Sequence, residues 1–339
     1  MAKPKVSMIV SNFNGIQLNL IKDCINSLIK PNYSNWELIV VDNASTDNSV
    51  DYLKKRFKNH KNCFLVQNPI NMYSQGLNLG ASRASGKYLA YFNNDIAITK
   101  PYLNNLVKEF EKDERLVIAQ GKLLSYKDHT KIDSTGETMD IFGNPQTLGL
   151  GEKDKGQYDN PREILSASGS ACMIRRDVFK KIGGYDSIFG IGYEDMDLAL
   201  RARRFGYKVQ IIPKAVVYHK RGITDTADFI RVKVKWHFNK NRLITMIKNY
   251  PFLLLIKSII ITIALYKLII VYEWFIRRNW SYGWVRLTSL IWLVFNFPAI
   301  ITSRNKIKKM GARSLSNKEY SLFSSKSLFS NFKHFISIR

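Results

Sequence analysis

Carboxylates occur at two distant places in the sequence where they could do chemistry. Asp95 follows the apolar run 88–92, and Glu194 and Asp195 come about a hundred residues later, at the start of a predicted helix. A carboxylate at a strand end suits a hard divalent cation that carries phosphates, and a carboxylate pair suits proton removal from a hydroxyl. His219 can add a neutral imidazole as a further metal contact. We therefore expect Asp95, Glu194, Asp195 and His219 to form one site.

Each of these residues also has an ordinary explanation. The sequence Asn-Asn-Asp at 93–95 is a good turn, and an isolated histidine such as His219 is usually a surface or core residue. Acidic residues are common in the first turn of a helix because they complement its dipole. For Asp197 we favour this kind of explanation, with Arg201 as its i,i+4 partner in a surface ion pair.

Apolar runs alternate with amphipathic segments over the first third of the chain. We predict strands over 6–10, 37–41, 63–66 and 88–92, separated by helices over 16–29, 47–57, 73–84 and 102–111. This alternation predicts an α/β fold with a mostly parallel, twisted, Rossmann-like sheet flanked by helices. The ligand crevice of such a sheet lies beyond the carboxyl ends of its strands, and the segments that follow all four strands are polar.

The second third of the chain is less regular. Residues 121–161 are polar and weakly periodic, and we predict loops and short strands beside the acceptor. Further on, the patterns predict an ordered segment at 166–174, helices at 176–182 and 194–205, and short strands at 209–212 and 216–218.

Several segments together resemble family 2 glycosyltransferases of the GT-A fold. They are the strand 6–14, the turn 40–47, the Asn-Asn-Asp segment at 93–95 and the long match from 169 to 219. The resemblance covers residues 4 to 250, and the sequences at 192–198 and 217–219 are most similar to the bacterial rhamnosyltransferase branch. It implies inverting transfer of a sugar from a nucleotide diphosphate. The best donor is dTDP-rhamnose, and UDP-sugars remain open.

The resemblance also implies roles for the acidic residues and the histidine. Asp195 would be the base that takes the acceptor's proton, and Glu194 would orient the acceptor hydroxyl. Asp95 and His219 would hold Mg²⁺ or Mn²⁺ bridging the donor phosphates. The family's DxD element is depleted here, because asparagines stand at 93 and 94 and leave a single anionic ligand. Asn94 would still hydrogen-bond the ribose.

A further set of residues is expected at the nucleotide. By resemblance Ser11, Phe13 and Asp42 line the base pocket, where Asp42 could accept the N3–H of uracil or thymine and Phe13 could stack on the ring, and Asn14 is also expected at the nucleotide. Asn78, on the helix that follows residue 71, would approach the donor together with Gly76 and Gly80. The alternatives are an Asx-turn for Asp42, a core aromatic for Phe13 and helix packing for the two glycines.

Positive charge is concentrated in the last third of the chain. The chain has 339 residues and a formal charge of +25, and residues 231–339 hold 20 Lys and Arg against 2 acids. A basic tail can meet nucleic acid or an anionic membrane surface. The runs 253–275 and 287–302 are strongly apolar and no basic recognition helix is apparent, so we predict an anionic membrane surface as partner and no nucleic acid.

The apolar runs are interrupted by charge. Lys257 and Lys267 would be costly at the centre of a bilayer, so interfacial or re-entrant helices fit better than spanning ones. Buried helices of a soluble homo-oligomer are the alternative. We therefore divide the chain into a catalytic domain, 1–230, and a basic, apolar, helical membrane-associating region, 231–339.

Cysteine usage bears on the compartment. Cys24, Cys63 and Cys172 are widely spaced, with no pair at disulfide-framework or metal-binding spacing, which favours a cytosolic catalytic part. We predict a peripheral or monotopic protein at the cytoplasmic face of the membrane, using a nucleotide-sugar donor and a saccharide or lipid-linked acceptor. The depleted segment 93–95 leaves a second hypothesis open, a non-catalytic sugar-nucleotide-binding or scaffold subunit.

Overall fold

The computed structural model describes residues 3–221 and 228–324. Their strands are β1 (Val6–Asn12), β2 (Trp36–Asn43), β3 (Cys63–Asn68), β4 (Tyr88–Asn93), β5 (Ile96–Ile98), β6 (Leu116–Ser125), β7 (Ile132–Ser134), β8 (Glu137–Met139), β9 (Pro145–Thr147), β10 (Arg162–Glu163), β11 (Ala171–Arg175) and β12 (Lys208–His219). Their α-helices are α1 (Ile21–Leu28), α2 (Ser49–Phe57), α3 (Tyr73–Arg83), α4 (Tyr102–Lys112), α5 (Arg176–Lys181), α6 (Glu194–Arg204), α7 (Asp228–Asn249), α8 (Phe252–Val271), α9 (Trp280–Lys309) and α10 (Asn317–Tyr320).

One large sheet organises the catalytic part. Its strand order is β10-β12-β6-β11-β4-β1-β2-β3, with β5 beside β12 and β7 beside β6. Strands β3, β2, β1 and β4 are mutually parallel, and β11 lies antiparallel between β4 and β6. The predicted α/β fold with a mostly parallel sheet is confirmed.

The central strands are apolar on both faces because helices cover both sides. In β1 the side chains of Met8 and Val10 pack with those of α1, α2 and α4, whereas Ile9 packs with those of α3, α5 and α6. Alternation along a strand sends neighbouring side chains to opposite faces, so a continuous apolar run gives a sheet buried on both sides. The carboxyl ends of these strands remain uncovered by helix bodies, which is where polar residues gather.

The structure differs from the prediction at three elements. The long strand β6 was not predicted, because the buried polar side chains of Gln120 and Lys122 interrupt its apolar pattern. Two short strands were predicted where β12 is one strand, with a register shift between Ile212 and Val216. The first helix begins at Ile21 instead of residue 16, since the chain before it is in turns with positive φ at Asn14 and Asn19.

The tail shares a hydrophobic core with the catalytic part. Leu243 and Ile247 of α7, and Tyr250 directly after it, are buried together with Phe189 and with residues of α6. Packing is therefore continuous across the predicted boundary at 230. Two segments, Phe252–Ile276 and Trp280–Lys309, are long and apolar enough to cross a membrane by length and composition alone, with 28% and 22% of their most apolar windows buried.

Candidate active site

Sheet pairing brings Asp95 and His219 together. Asp95 follows β4 and leads into β5, which runs antiparallel to the end of β12 with Ile96 opposite His219. The Nε2 atom of His219 lies 3.3 Å from Oδ1 of Asp95. On the other side of the ring, Nδ1 lies 2.7 Å from Oδ2 of Asp133, in β7. The imidazole is thus held between two carboxylates.

Charges alternate through this group. Burial opposes protonation of His219, but hydrogen bonds to Asp133 and Asp95 outweigh it and raise its pKa to about 9. Burial alone would raise the pKa of Asp133, yet His219 and Arg221 hold it below its usual value. Arg221 donates from Nε to the same carboxylate. Without a bound cation, His219 therefore carries a proton at neutral pH.

The donor set fits a divalent cation that arrives with phosphates. Asp95 offers carboxylate oxygen and His219 offers an imidazole nitrogen, both of which bind Mn²⁺, whereas Mg²⁺ prefers the oxygen. Among residues 3–221 and 228–324 no group of three His, Cys, Asp or Glu side chains could hold a metal ion. Phosphate oxygens of a substrate would have to complete the coordination shell, and metal binding would displace the proton on His219.

The second acidic pair opens helix α6. Tyr193 precedes it in the left-handed region, with φ of 69°, and the side chain of Asp195 accepts hydrogen bonds from Gly169 N at 2.9 Å and Met196 N at 2.7 Å. Burial and the adjacent Asp195 charge raise the pKa of Glu194 to about 8. Burial also raises the pKa of Asp195, although its two backbone hydrogen bonds oppose the shift. This half-buried carboxylate is therefore a stronger base than an exposed one.

Asn93 connects the two groups. Its backbone N donates to Ser170 O at 3.0 Å, its Nδ2 lies 3.3 Å from Ser170 Oγ, and the neighbouring Gly169 bonds Asp195. Tyr73 donates to Oδ1 of Asn93 at 2.6 Å. Burial and the charges of Glu194, Asp195 and, more weakly, Asp95 raise the pKa of Tyr73. Hydrogen bonds through Asn93 and Ser170 thus link the segment of Asp95 to the loop that holds Asp195, and we refer to these linked groups as the candidate centre.

Glu137 is a further carboxylate of this centre that the sequence did not reveal. It lies in β8, and its Oε2 accepts a hydrogen bond from Thr147 at 3.0 Å. Burial and the charge of Asp195 raise its pKa to about 8. Neither Glu137 nor Asp133 carried a recognisable signal, since both fall in the polar, weakly periodic stretch 121–161. Tyr73 and Ser170, although within predicted segments, gave no sign of contact with Asn93.

Most of the predicted nucleotide residues lie at the carboxyl ends of β1, β2 and β4. Asp42 is buried and accepts hydrogen bonds from Asn12 Nδ2 at 2.8 Å, from Ser45 Oγ at 2.6 Å and from Ser45 N at 3.0 Å. These contacts hold the turn after β2, with the backbone bond three residues on from Asp42 instead of two as in the Asx-turn of the alternative explanation. Asn94 donates from Nδ2 to Asn12 Oδ1 at 2.8 Å, so one asparagine links it to Asp42.

Three more of these residues occupy the same edge of the sheet. Ser11 accepts a hydrogen bond from Asn43 Nδ2 at 2.9 Å, and Phe13 is half-buried. Asn14 has a positive φ of 49° and accepts from Thr46 N at 2.8 Å.

Asn78 is held away from this edge, in α3. Its Nδ2 donates to Tyr185 O at 2.7 Å and its Oδ1 accepts from Tyr185 N at 3.0 Å. The amide thus joins α3 to the segment before α6. The contacts of Asn78 are therefore packing contacts, a role that the sequence did not suggest for this residue. Two glycines of the same helix also serve packing, since a Cβ on Gly76 would meet Asn43 and one on Gly80 would meet Ile9.

Asp197 forms the predicted pair with Arg201, with a distance of 2.8 Å, but the pair is not on the surface. Both side chains are buried, and Asp197 also contacts Lys248 at 3.0 Å and Asn249 at 2.9 Å. Burial would raise the pKa of Asp197, but the two cations hold it below its usual value. The surface interpretation was wrong because α7, two residues of which complete this group, covers that side of α6.

Two family descriptions match the chain. The sequence model described as "Glycosyl transferase family 2" matches residues 7–183, just over half of the chain. The one described as "N-terminal domain of galactosyltransferase" matches residues 156–223, the part that contains β11, α6 and all of β12.

Curated relatives point in the same direction. "O-antigen biosynthesis protein RfbC" of Myxococcus xanthus is 27% identical over 242 residues, which are 69% of this chain and 18% of that protein. An "Uncharacterized glycosyltransferase" of Haemophilus influenzae is 32% identical over 146 residues, 42% of this chain and 44% of that protein. The chain thus spans less than half the length of both relatives.

Solved structures share the fold at low sequence identity. GalNAc-T7 with UDP, GalNAc and Mn²⁺ has a TM-score of 0.58 and 17% identity over 73% of this chain and 48% of that chain. The mannosyltransferase PcManGT from Pyrobaculum calidifontis, in complex with GDP-Man and Mn²⁺, has a TM-score of 0.55 and 16% identity over 99% and 86%. TarS 1-349 of S. aureus has a TM-score of 0.52 and 14% identity over 98% and 87%.

Proposed function

Because this chain belongs to glycosyl transferase family 2, we propose that it transfers a sugar from a nucleotide diphosphate to a saccharide or lipid-linked acceptor in the synthesis of a cell-surface glycan. The observation that carries the proposal is the set of hydrogen bonds by which Asn93, two residues before Asp95, meets Ser170, whose neighbour Gly169 donates to Asp195. A relative named for O-antigen biosynthesis and fold neighbours solved with UDP or GDP-Man support it.

In this proposal Asp195 is the base of an inverting displacement. Its carboxylate takes the proton of the acceptor hydroxyl while that oxygen bonds to the anomeric carbon, and the bond from that carbon to the diphosphate oxygen breaks. Glu194, mostly protonated at neutral pH because its pKa is raised to about 8, can donate a hydrogen bond that orients the acceptor. A base and an orienting acid thus stand side by side.

Asp95 and His219 are the residues that would hold Mg²⁺ or Mn²⁺. Such a cation neutralises charge on the departing diphosphate. Asp133 orients the ring so that Nε2 faces Asp95, which is the direction in which a ligand is needed.

For the nucleotide we retain the edge formed by Ser11, Phe13, Asn14, Asp42 and Asn94. The Asn12 side chain, hydrogen-bonded to both Asp42 and Asn94, gives this edge a fixed shape. Base and ribose would lie against it, with the diphosphate directed toward Asp95. Asn78 has less support as a donor ligand, since its amide already bonds Tyr185.

The finer assignment of the donor is dTDP-rhamnose, with UDP-sugars as competitors. We would measure thermal shifts of the full chain with dTDP-, UDP- and GDP-sugars, each with Mn²⁺, with Mg²⁺ and with a chelator. One donor class should stabilise the protein, and stabilisation should weaken in the chelator. Equal shifts for all bases, or none, would contradict the proposed nucleotide edge.

A non-catalytic sugar-nucleotide-binding subunit remains the second candidate. It is favoured by the asparagines at 93 and 94, which leave Asp95 as the one acid of that segment. Donor turnover separates the two functions. A chain that binds the stabilising donor but releases no nucleoside diphosphate, with or without saccharide and lipid-linked acceptors, would be the scaffold.

We also propose that residues 231–339 hold the catalytic part at the cytoplasmic face of an anionic membrane, as a peripheral or monotopic protein. Two features support this location: the exposed apolar surface of α8 and α9, and the charge of residues 231–339, which hold 20 basic residues and 2 acids. Sedimentation with vesicles of mixed neutral and anionic lipid tests it. A chain that stays in the supernatant would contradict it.

A further inference from the structure

Helices α8 and α9 present a broad apolar face. Large apolar side chains along it are at least half exposed, among them Leu253, Ile260, Phe275, Trp284, Val294 and Phe295. The opposite side of α8 is buried at Ser258, Thr262 and Tyr266, where it meets the rest of the protein. An apolar surface of this extent on one side of a helix pair calls for a partner.

Helix α7 lies between the catalytic part and most of α8 and α9, although the end of α9 also reaches the catalytic part through Ser303 Oγ, which donates to Asp186 at 2.7 Å. On one side α7 contacts the segment that leads to Glu194: Lys240 Nζ donates to Ile188 O at 2.7 Å, and the ring of Phe238 lies 5.6 Å from that of Tyr193. Near its end, Lys248 pairs with Asp186 at 2.6 Å. Residues 237–249 are thus fixed to the catalytic part along about 18 Å of helix.

On its other side, α7 packs lengthwise against both tail helices. Lys235 lies over the ring of Tyr282 at 3.7 Å, Lys240 over Trp292 at 4.6 Å, and Arg304 donates to Tyr250 O at 2.9 Å, so α9 runs parallel to α7. Tyr266 donates to Asn239 O at 3.1 Å, so α8 runs antiparallel. The three axes therefore follow the surface of the catalytic part instead of pointing away from it.

We propose that α8 and α9 lie in the plane of the membrane, with their apolar face in one leaflet and α7 between the lipid and the catalytic part. This inference rests on the membrane association proposed above and fixes its geometry. If α8 or α9 crossed the bilayer, α7 would enter the hydrocarbon beside them. The buried cations Lys240, Arg242 and Lys248 and the loop at 186–193 would enter with it, at a large cost for each charge.

Helices α8 and α9 form a hairpin, and the part of it that extends past the fixed segment of α7 is too short to cross a bilayer. Beyond Tyr266, which contacts α7, the chain continues for ten residues to the end of the π-helical turn Tyr272–Ile276, about 15 Å at the helical rise. The hydrocarbon core of a bilayer is about 30 Å thick. The tip, with Trp274 stacked on Trp280 at 5.8 Å, can dip into the leaflet and leave its Arg277 and Arg278 at the headgroups.

The lipid is expected to be anionic because of the charge around the apolar face. Lys257 and Lys267 are exposed on α8, and Lys306, Lys308 and Lys309 are exposed at the end of α9. Lysines at these places can extend to the headgroups while their stems cover apolar surface. A second copy of the chain is the competing occupant of this face.

Cysteine accessibility tests the orientation. The native Cys24, Cys63 and Cys172 are buried, so the wild-type chain is the unlabelled control. Ser281→Cys marks the hairpin tip and Asn305→Cys marks the other end of α9; both native side chains are exposed. The full chain would be produced in cells, and an impermeant maleimide applied to intact cells and to inverted vesicles.

We expect the Asn305→Cys variant to react in inverted vesicles only. The Ser281→Cys variant should either react there too or be protected on both sides until detergent is added. Reaction of the Ser281→Cys variant in intact cells, with the Asn305→Cys variant reacting in inverted vesicles, would show a spanning hairpin and overturn the inference. If the chain does not sediment with membranes at all and is dimeric in detergent-free buffer, the membrane association itself fails and a second copy covers the face.

Discussion

The proton affinity of Asp195 depends on opposing contacts. Burial raises its pKa, and hydrogen bonds from Gly169 N and Met196 N hold the shift in check. For Asp195→Asn we expect transfer to fall by about a hundredfold to ten thousandfold, the range for loss of a general base, because an amide cannot take the acceptor's proton. Donor affinity, measured by calorimetry, should stay within a few fold. Normal transfer by this variant would assign the base to Glu194 or Glu137.

Asp197 provides the matched comparison, two residues along the same helix. It is buried among Arg201, Lys248 and Asn249, so Asp197→Asn leaves buried cations with a weaker partner. Removing one member of a buried ion pair costs about 3 to 5 kcal/mol, and this variant should lose that order of unfolding free energy in denaturant titrations. The two neighbouring carboxylates thus separate a chemical effect from a structural one.

The Glu194–Asp195 pair predicts how activity depends on pH. The pKa of Asp195 is raised, so the base becomes competent only as pH rises past the usual range of an aspartate, and kcat/KM should show an acidic limb that ends at higher pH than for an exposed aspartate. Glu194 is protonated, and so neutral, while Asp195 titrates, so Glu194→Gln should leave this limb in place and remove the fall in kcat/KM expected as pH rises past about 8. A limb that moves to lower pH in the variant would show that Glu194 is charged when Asp195 titrates.

The same shift predicts a stability difference. The pKa of Glu194 is raised to about 8 in the folded state, so the folded chain holds a proton that the unfolded chain releases. Stability should therefore be highest below the unfolded pKa of a glutamate, near 4.5, and fall as pH rises toward 8. Denaturant titrations of Glu194→Gln at both ends of this range should lack that part of the loss.

Asp133 is expected to act through His219. It holds Nδ1 at 2.7 Å and helps to keep the ring directed at Asp95. Loss of such an orienting partner commonly lowers metal affinity by about 10- to 100-fold, and we expect this for Asp133→Asn, measured as Mn²⁺ binding by calorimetry in the presence of donor. Asp128→Asn, at a half-buried acid of the preceding turn that bonds Thr130 N, is the control and should bind normally. Equal affinities would remove Asp133 from the site.

At the scale of elements, the strands and helices with regular apolar patterns could be predicted from the sequence. Strands β1, β2, β3 and β4 and helices α3, α4, α5 and α6 lie within a few residues of their predicted ranges, because apolar runs and amphipathic segments reflect burial directly. Strand β6 was missed since its buried Gln120 and Lys122 find partners only in the folded chain: Gln120 accepts from Ser168 N and Lys122 pairs with Asp154. No local pattern encodes such partners.

The candidate site divides in the same way. Asp95, Glu194, Asp195 and His219 stand at element ends with recognisable neighbours in sequence. Asp133 and Glu137 belong to short strands, β7 and β8, whose positions depend on pairing and loop contacts across the chain. Asn78 shows the opposite problem. Its place on a helix near the strand ends suggested a contact with the donor, whereas its side-chain amide bonds Tyr185.

Helix α7 positions the segment that precedes the base. Asn241 Nδ2 lies 2.8 Å from Phe189 O, 2.9 Å from Ile191 O and 2.7 Å from Gly192 O. In Asn241→Leu the buried carbonyls lose their donor, at about 1 to 3 kcal/mol, and the turn before Glu194 loosens. We expect kcat to fall several-fold or more. The KM for donor should change little, because the nucleotide edge lies at the ends of β1, β2 and β4 and not in this turn.

Asn239→Ala is the control on the same helix, since the Asn239 amide donates only to Lys235 O of its own helix at 2.8 Å. Steady-state kinetics of both variants test whether α7 affects catalysis through this turn. Thermal unfolding confirms that both variants fold. Equal kcat values for Asn241→Leu and Asn239→Ala would leave α7 with a purely structural role.

At the scale of the whole molecule, the catalytic part and the tail depend on each other. Arg304 donates to Tyr250 O, Ser303 Oγ donates to Asp186 at 2.7 Å, and Arg313 pairs with Glu319 while contacting α6. Deleting residues 251–339 would therefore expose the shared core as well as remove the apolar helices. The division at residue 230 remains a proposal about function, with lipid contact on one side and transfer chemistry on the other, and does not mark a break in packing.

Point charges on the apolar face test membrane contact without this damage. Leu253 is 82% exposed and Val294 71% exposed, so Leu253→Glu and Val294→Glu disturb little packing. A carboxylate facing hydrocarbon costs about 2 kcal/mol or more at depth, and anionic headgroups repel it, so vesicle flotation of the double variant should fall at least tenfold. Phe64→Glu, at a side chain 47% exposed on β3 of the catalytic part, adds an acid away from the face and should float like the parent chain. Equal loss in both variants would mean that net charge governs binding, and no loss in either would mean that the apolar face of α8 and α9 does not meet lipid.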